Sequence, residues 1–285
     1  MAYPALEMPI RLFFFLLAFL ALGFLEAKNQ WVPLNQDREE RWLNHLGLAF
    51  AGAILIRTFL PLAALSFAWW VADHRFGLFN QVEVPLWLSV PWTILALDWA
   101  LYYGHRALHA VPPLWKCHRV HHTDLDLDVS TGLRFHLLET AFSMLVRFLV
   151  ILALGCPTLG VLWFEVLYTA ALLFGHANLR LSPGLQKILG IFLVTPASHR
   201  VHHSRDRAQA NRNFGFIFTW WDWIFGTYLD KREDEARNIS VGVEGFEPPS
   251  LSALPNLLAQ PFSNRQGDLS MENFKSPESA YTQNK

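Results

Sequence analysis

Apolar positions fall along this chain in long blocks, not in the alternation of a half-buried strand. The first block is 12–25 (LFFFLLAFLALGFL). A signal-peptide core is the rival reading, but Leu25-Glu26-Ala27 lacks a small-x-small cleavage pattern, so a retained helix over 9–27 is predicted. Residues 44–72 exceed one span and are interrupted by Arg57 and Pro61. They predict a surface segment to about 53 and a span near 54–72, with Arg57 reaching one interface and Trp69 and Trp70 at the other. Residues 84–103 predict a third span, with Pro85 and Pro91 near its start, where a missing N–H does least harm. Residues 138–155 and 157–175 predict a helical hairpin that turns at Cys156-Pro157, because proline disfavours helical geometry in the residue before it.

Charge orients these elements. Lys28, Arg38 and Arg41 lie between the first two blocks, whereas 73–83 carries only Arg75 and the turn near 156 carries no basic residue. Segments 104–137 and 176–237 are rich in Arg and Lys. The positive-inside tendency then puts the N-terminus and the 156 turn outside, and 104–137 and everything after 175 in the cytosol. Composition agrees with a membrane protein: of 285 residues, 52% are hydrophobic and only 16% charged. The expected architecture is an all-α, polytopic membrane helical bundle of about four to five transmembrane helices with a cytosolic helical cap. The expected division is 1–83 for N-terminal membrane helices, 84–237 for a catalytic region and 238–285 for a polar, disordered tail. A net charge of −1 gives no reason to expect a nucleic-acid partner. Two cysteines, Cys117 and Cys156, are too few for a disulfide framework or a cysteine-held cluster.

Histidine changes the picture. Ten of the 12 lie between 105 and 203. His105 and His109 follow the third span and share a helical face at i, i+4. His118, His121 and His122 share one at i, i+3, i+4, just after Pro112-Pro113 as a helix start. The same pentad, HRVHH, recurs at 199–203, where His199, His202 and His203 follow a Thr195-Pro196 cap and first turn. His176 closes the fifth span, and His136 precedes the fourth. His45 and His74 read as ordinary polar tips. Eight histidines in three helix-spaced clusters on one membrane face would repel when protonated and leave nitrogens unsatisfied when neutral, so metal binding is expected. Nine or ten imidazoles exceed the coordination of one ion, which implies two; imidazole alone suits Zn, Cu, Fe or Ni.

Other polar positions in the apolar blocks carry further expectations. Asp98, Tyr102, His105 and His109 form one helical stripe, making Asp98 a candidate to orient His105; the alternative is a hydrogen bond from Asp98 to another span. Arg147 and Glu165 lie nine residues either side of Cys156, at equal depth in an antiparallel hairpin. They predict a buried ion pair whose single replacement destabilises more than replacement of both; a Glu165 facing a substrate cavity is the competing reading. The aromatics at 220–228 (WWDWIFGTY) read as an interfacial belt or packing beneath the metal helices rather than a binding box.

Over 95–230, these motifs resemble the fatty acid hydroxylase/sterol desaturase superfamily: the stretch from Asp98 to His109, the two HRVHH boxes, HANL at 176–179, and NFGF at 213–216 followed by WWDWIFGTY. The resemblance implies a membrane di-iron enzyme with an all-histidine site and O2 as co-substrate. Its ligands would fall on His105, His109, His118, His121, His122, His176, His199, His202 and His203. His136 lies in R-F-H-L-L-E, similar to a family R-F-H-P-x-E segment with Leu137 in place of proline, and would be a tenth ligand or a supporting group. Asn178 stands where longer boxes carry another histidine, so water or an amide would hold that position. The implied chemistry is hydroxylation or desaturation of a lipid drawn from the bilayer.

The chain has no G-x-G-x-x-G nucleotide loop and no C-x-x-C-H haem site, so an external reductase, ferredoxin or b-type cytochrome must supply electrons. Arg205, Arg207, Arg212, Lys231 and Arg232 read equally as a docking surface for that donor or as anchors for anionic headgroups. Two rival functions are a zinc-dependent membrane hydrolase or isomerase and a non-enzymatic metal transporter. The transporter is disfavoured because the clusters follow the spans instead of sitting at mid-membrane.

Overall fold

The computed structural model describes residues 3–59 and 63–263. The Arg57 side chain and residues 264–285, for which expectations were raised above, lie outside the described residues. The chain is helical: α1 (Tyr3–Lys28), α2 (Arg38–Phe59), α3 (Ala64–Asp73), α4 (Leu78–Gln81), α5 (Leu86–Ala110), α6 (Pro112–His122), α7 (Leu137–Leu154) and α8 (Thr158–His176). Shorter helices follow: α9 (Pro183–Phe192), α10 (Pro196–His202), α11 (Arg207–Ala210), α12 (Trp220–Ile224), α13 (Glu233–Arg237) and α14 (Leu254–Ala259). Among the described residues, strand-like pairing is confined to isolated bridges such as Leu193 with Phe218.

Among the described residues, three helices are long and apolar enough to cross a membrane: Met8–Lys28, α7 and α8. A fourth span arises only if Ala64–Gln81 and α5, bent by 98°, count as one. Among the described residues the count is thus three to four, against the four to five expected. Among the described residues no single helix covers the span expected near 54–72. α2 ends at Phe59 and α3 starts at Ala64, and at 10 residues α3 is about 15 Å long, half of a bilayer core. Leu65, Ala68 and Val71 of α3 instead pack into the apolar core with Leu97 and Leu101 of α5, Ile151 of α7 and Phe164 of α8.

The hairpin turns where the sequence places it. Gly155 takes a left-handed φ of 67° and ends α7, and Pro157 caps α8. Added at Gly155, a Cβ would lie 2.7 Å from the Phe76 carbonyl oxygen, so the turn packs against the chain leading into α4. Arg147 and Glu165 meet across the hairpin at 2.7 Å. Arg11 of α1 also reaches Glu165 at 3.1 Å, tying a third helix to the pair.

Within 238–263 the chain forms short helical turns that pack against the rest of the molecule. The HRVHH repeats explain why. In each, the histidines face inward while Arg and Val form the opposite face. Arg119 donates to the Gln260 carbonyl at 2.9 Å. Arg200 donates to the Ala236 and Ile239 carbonyls at 3.0 and 2.9 Å. Val120 packs with Leu257 and Val201 with Ala236, both valines fully buried.

Candidate metal centre

Three helix ends and one hairpin end converge on a single buried point. α5 runs past its apolar part to carry His105 and His109. α6 opens on Pro112, and α10 opens on a reciprocal cap in which the Thr195 and Ser198 hydroxyls each accept from the other's backbone N–H. α8 ends at His176. The result is two groups: His105, His109, His118, His122 and His202, and His121, His176, His199 and His203, each with one ring nitrogen per residue within 4.8 Å of the others. All nine residues are buried. The groups adjoin, with the His122 and His203 rings stacked at 4.5 Å. Nine sequence-nominated histidines are brought together, and two ions' worth of imidazole is present.

The outer nitrogens are held in a way that fixes the inner ones. A carbonyl oxygen only accepts, so the nitrogen facing it must carry the proton. His105 Nδ1 donates to the Phe214 carbonyl at 2.8 Å, His202 Nδ1 to Arg212 at 2.8 Å and His176 Nδ1 to Leu172 at 2.7 Å. His118 Nδ1 lies 2.6 Å from Glu139 Oε1, and His109 Nδ1 lies 3.3 Å from Asn211 Oδ1. The Nε2 atoms of His105, His202 and His176 are therefore bare lone pairs pointing inward. His202 Nε2 is buried with no partner. His176 Nε2 has the Nε2 atoms of His199, His121 and His203 at 2.9, 3.0 and 3.2 Å, and one lone pair cannot accept from three donors. Converging lone pairs in a dry interior are what a cation satisfies, so the donor set fits metal ions. Burial, reinforced by neighbouring imidazoles, holds His118, His121, His122, His199, His202 and His203 well below the usual histidine range, which keeps them neutral and able to ligate.

Three nominated residues lie elsewhere. Asp98 does not orient His105. Its oxygens accept from the backbone N–H groups of Ile217 and Phe218 at 3.1 and 3.2 Å and from Trp221 Nε1 at 2.8 Å, so it anchors the 213–224 segment. The shared stripe was real, but helical spacing does not say which neighbour a side chain meets. His136 joins neither group. Its Nδ1 accepts from the Leu138 N–H to cap α7, and its Nε2 lies 3.2 Å from the Leu258 carbonyl. Asn178 turns away from the histidines and pairs with the Val32 backbone through both amide atoms, at 2.8 and 2.7 Å.

The structure also supplies residues that sequence reasoning missed. Glu139, in the same R-F-H-L-L-E segment as His136, is the carboxylate that holds a ring. Its spacing to His136 was visible, but its partner was not. His45, read as a polar tip, is fully buried between Ser130 and Arg134. The cations proposed for docking are in part engaged locally: Arg232 pairs with Glu235 at 2.8 Å and Arg205 with Glu247 at 3.5 Å. A polar recess of about 180 Å³ opens beside His109 and His122, walled by Trp115, Arg207 and Asn211.

Fold and site together define a helical membrane protein built around paired, buried histidine groups suited to metal ions. A fatty acid hydroxylase family profile matches residues 90–227, so that this region is similar to the fatty acid hydroxylase superfamily. It is 29% identical over 213 residues to the ornithine lipid hydroxylase OlsE of Rhizobium tropici, covering 75% of this chain and 62% of that one. It is 32% identical over 240 residues to human alkylglycerol monooxygenase, covering 81% and 50%. It is 26% identical over 154 residues to the Delta(7)-sterol-C5(6)-desaturase of Nicotiana tabacum, covering 51% of each. The chain thus spans from half to about three fifths of the length of these curated relatives. No solved structure matches it significantly.

Proposed function

We propose that this chain is a membrane-bound non-haem di-iron oxidoreductase that uses O2 and external electrons to hydroxylate or desaturate a C–H bond of a bilayer lipid. The observation that carries this reading is the inward convergence of nine neutral imidazoles, in groups of five and four, in a chain whose residues 90–227 are similar to this superfamily. The nine histidines hold the metals, and region 84–237 is the catalytic unit. When bound, a pair of irons supplies redox capacity for attack on an unactivated C–H bond.

The protein's own share is positioning and exclusion. The Phe214, Leu172 and Arg212 carbonyls fix three tautomers, and Glu139 and Asn211 steady two further rings. Phe216 stacks on His105 at 4.9 Å and Phe135 on His121 at 4.3 Å, so apolar surface shields the rings from water. Oxidising a C–H bond supplies only part of the electrons that O2 needs, so a separate reductase, ferredoxin or b-type cytochrome delivers the rest. The charge distribution supports a cytosolic site facing that donor.

Purified protein should contain iron and consume O2 coupled to product when given a donor and a lipid extract. A mass gain of one oxygen indicates hydroxylation, and loss of a hydrogen pair indicates desaturation. An iron-replete sample that consumes no O2 with any lipid class would end this reading in favour of a zinc-dependent hydrolase or isomerase.

A further inference from the structure

Two short elements outside the spans expose apolar surface on one side. In α9, Leu185, Ile188, Ile191 and Phe192 are exposed, Ile188 by 61%, while the opposite face is pinned by Gln186 donating to Thr195 Oγ1 at 2.6 Å. In α12, Trp223 and Ile224 are exposed by 57% and 65%. The two elements are one body. Thr219 donates to the Gly190 and Ile191 carbonyls at 3.1 Å, and Leu193 bridges Phe218. Between them, Ile191, Trp220, Trp223 and Ile224 line a recess of about 520 Å³.

What covers this surface follows from where it is anchored. The 217–221 segment hangs on Asp98, which lies 12 residues before the end of α5, about 18 Å along that helix toward its apolar part. Phe225 stacks on Tyr102 of the same helix at 5.5 Å. α9 starts seven residues after α8, a membrane-crossing helix, ends. α9 is therefore tied to a membrane-crossing helix and α12 to the apolar part of α5, on the side where the histidines lie. An amphipathic helix with a Trp-rich neighbour at that level rests in the headgroup and upper acyl layer.

We propose that α9 and α12 form one in-plane membrane surface and that the recess between them holds the acyl chain of a bilayer lipid. The 214–218 segment links this surface to the histidines: Phe218 stacks on Trp220 at 4.6 Å, and Phe216, two residues earlier, stacks on His105 at 4.9 Å. The membrane contact itself does not depend on the redox reading.

Its test needs no turnover. Single cysteines at Ile188 and Ile224, both exposed, are introduced into full-length protein carrying Cys117→Ser, labelled with bimane and placed in phosphatidylcholine nanodiscs. A third label at Ala208, exposed on the polar side, is the reference, and iron content confirms the site is intact. The expected result is loss of most of the fluorescence at 188 and 224 with doxyl-labelled phosphatidylcholine and little loss with aqueous iodide, and the reverse at 208. Iodide quenching at 188 and 224 without lipid quenching would overturn the proposal. Protection from both quenchers, with a dimer on sizing, would overturn it in favour of a second copy of this chain. Lipid quenching in a protein that shows no O2 uptake would leave the surface standing and sink only the redox reading.

Discussion

Two buried polar regions adjoin at the end of α6, and they are built on opposite principles. The histidine groups aim bare lone pairs at one another and leave His202 Nε2 and the Nδ1 atoms of His121, His199 and His203 without partners. The adjoining loop, 124–134, holds formal charges that are almost completely answered. Arg41 donates to Asp128 at 2.6 Å and to Asp124 at 2.9 Å. Arg134 donates to His45 Nε2, to Thr123 and to the Val120 carbonyl. Asp128 accepts from the Ser130 N–H and hydroxyl, and Thr131 donates to Asp124. Burial of polar groups is costly in both places. Where partners are supplied from within, the region is scaffold. Where they are missing in a converging pattern, something from outside is meant to supply them.

This contrast is sharpest under substitution. Changing His121 and His202 together to Ala removes one donor from each histidine group, and the expected result is loss of bound metal and of activity, with the helices retained. Metal analysis and circular dichroism on the same sample check it; full metal content in that variant would show that convergence is not what holds the ions. Arg41→Met should act in the opposite way. It strands Asp124 and Asp128 in a dry interior, and a loss of about 3–5 kcal/mol of stability is expected, read as a lowered unfolding midpoint. An unchanged midpoint would mean that the network is not the support that its hydrogen bonds describe.

How much of this was legible follows the same line. Features set by local spacing were readable: the Gly155–Pro157 turn, the helix starts at Pro112 and Thr195, the Arg147–Glu165 pairing at equal depth, and the histidine faces of α5, α6 and α10. Features set by partners distant in the chain were not. Asp98 shares a stripe with His105 yet meets Trp221, 123 residues away. Arg41 counted only as a loop charge, because nothing near it in sequence shows that it reaches Asp124, 83 residues on. The arginines inside both HRVHH repeats carry no signal of their own in the spacing, yet they fasten the 236–263 segment.

Glu139 sits on the boundary between the two regions and tests whether the distinction is clean. It is a buried carboxylate like those of the network, but its partner is a ring of the metal site, and its Oε2 is left without one. Glu139→Gln keeps the shape and can still meet His118 Nδ1, but offers the ring a weaker acceptor than a carboxyl group, and so a weaker hold on its orientation and basicity. Metal affinity should fall by about 10–100-fold with little change in fold. Competition with a chelator measures it, and equal affinity would assign Glu139 to the scaffold.

The smallest expected effect concerns His45, the one titrating ring of the network. Burial drives its pKa down to about 3, helped by Arg134 and Arg41 and opposed by Asp124. The sign then follows. Below the ordinary value of 6.5 the unfolded chain takes up a proton that folded His45 refuses, so the unfolded state binds more protons and stability falls as pH drops from 6.5 toward about 3. One such group contributes at most about 1.4 kcal/mol per pH unit. The metal-site histidines add slope of the same sign, so the difference between wild type and His45→Asn isolates this residue. The variant should be less stable near neutral pH, where Ser130 and Arg134 lose a well-placed partner, yet lose less of its midpoint between pH 6.5 and 5. Parallel pH profiles would show that His45 is not held neutral by its surroundings, and the network would then be less fully self-satisfied than its distances indicate.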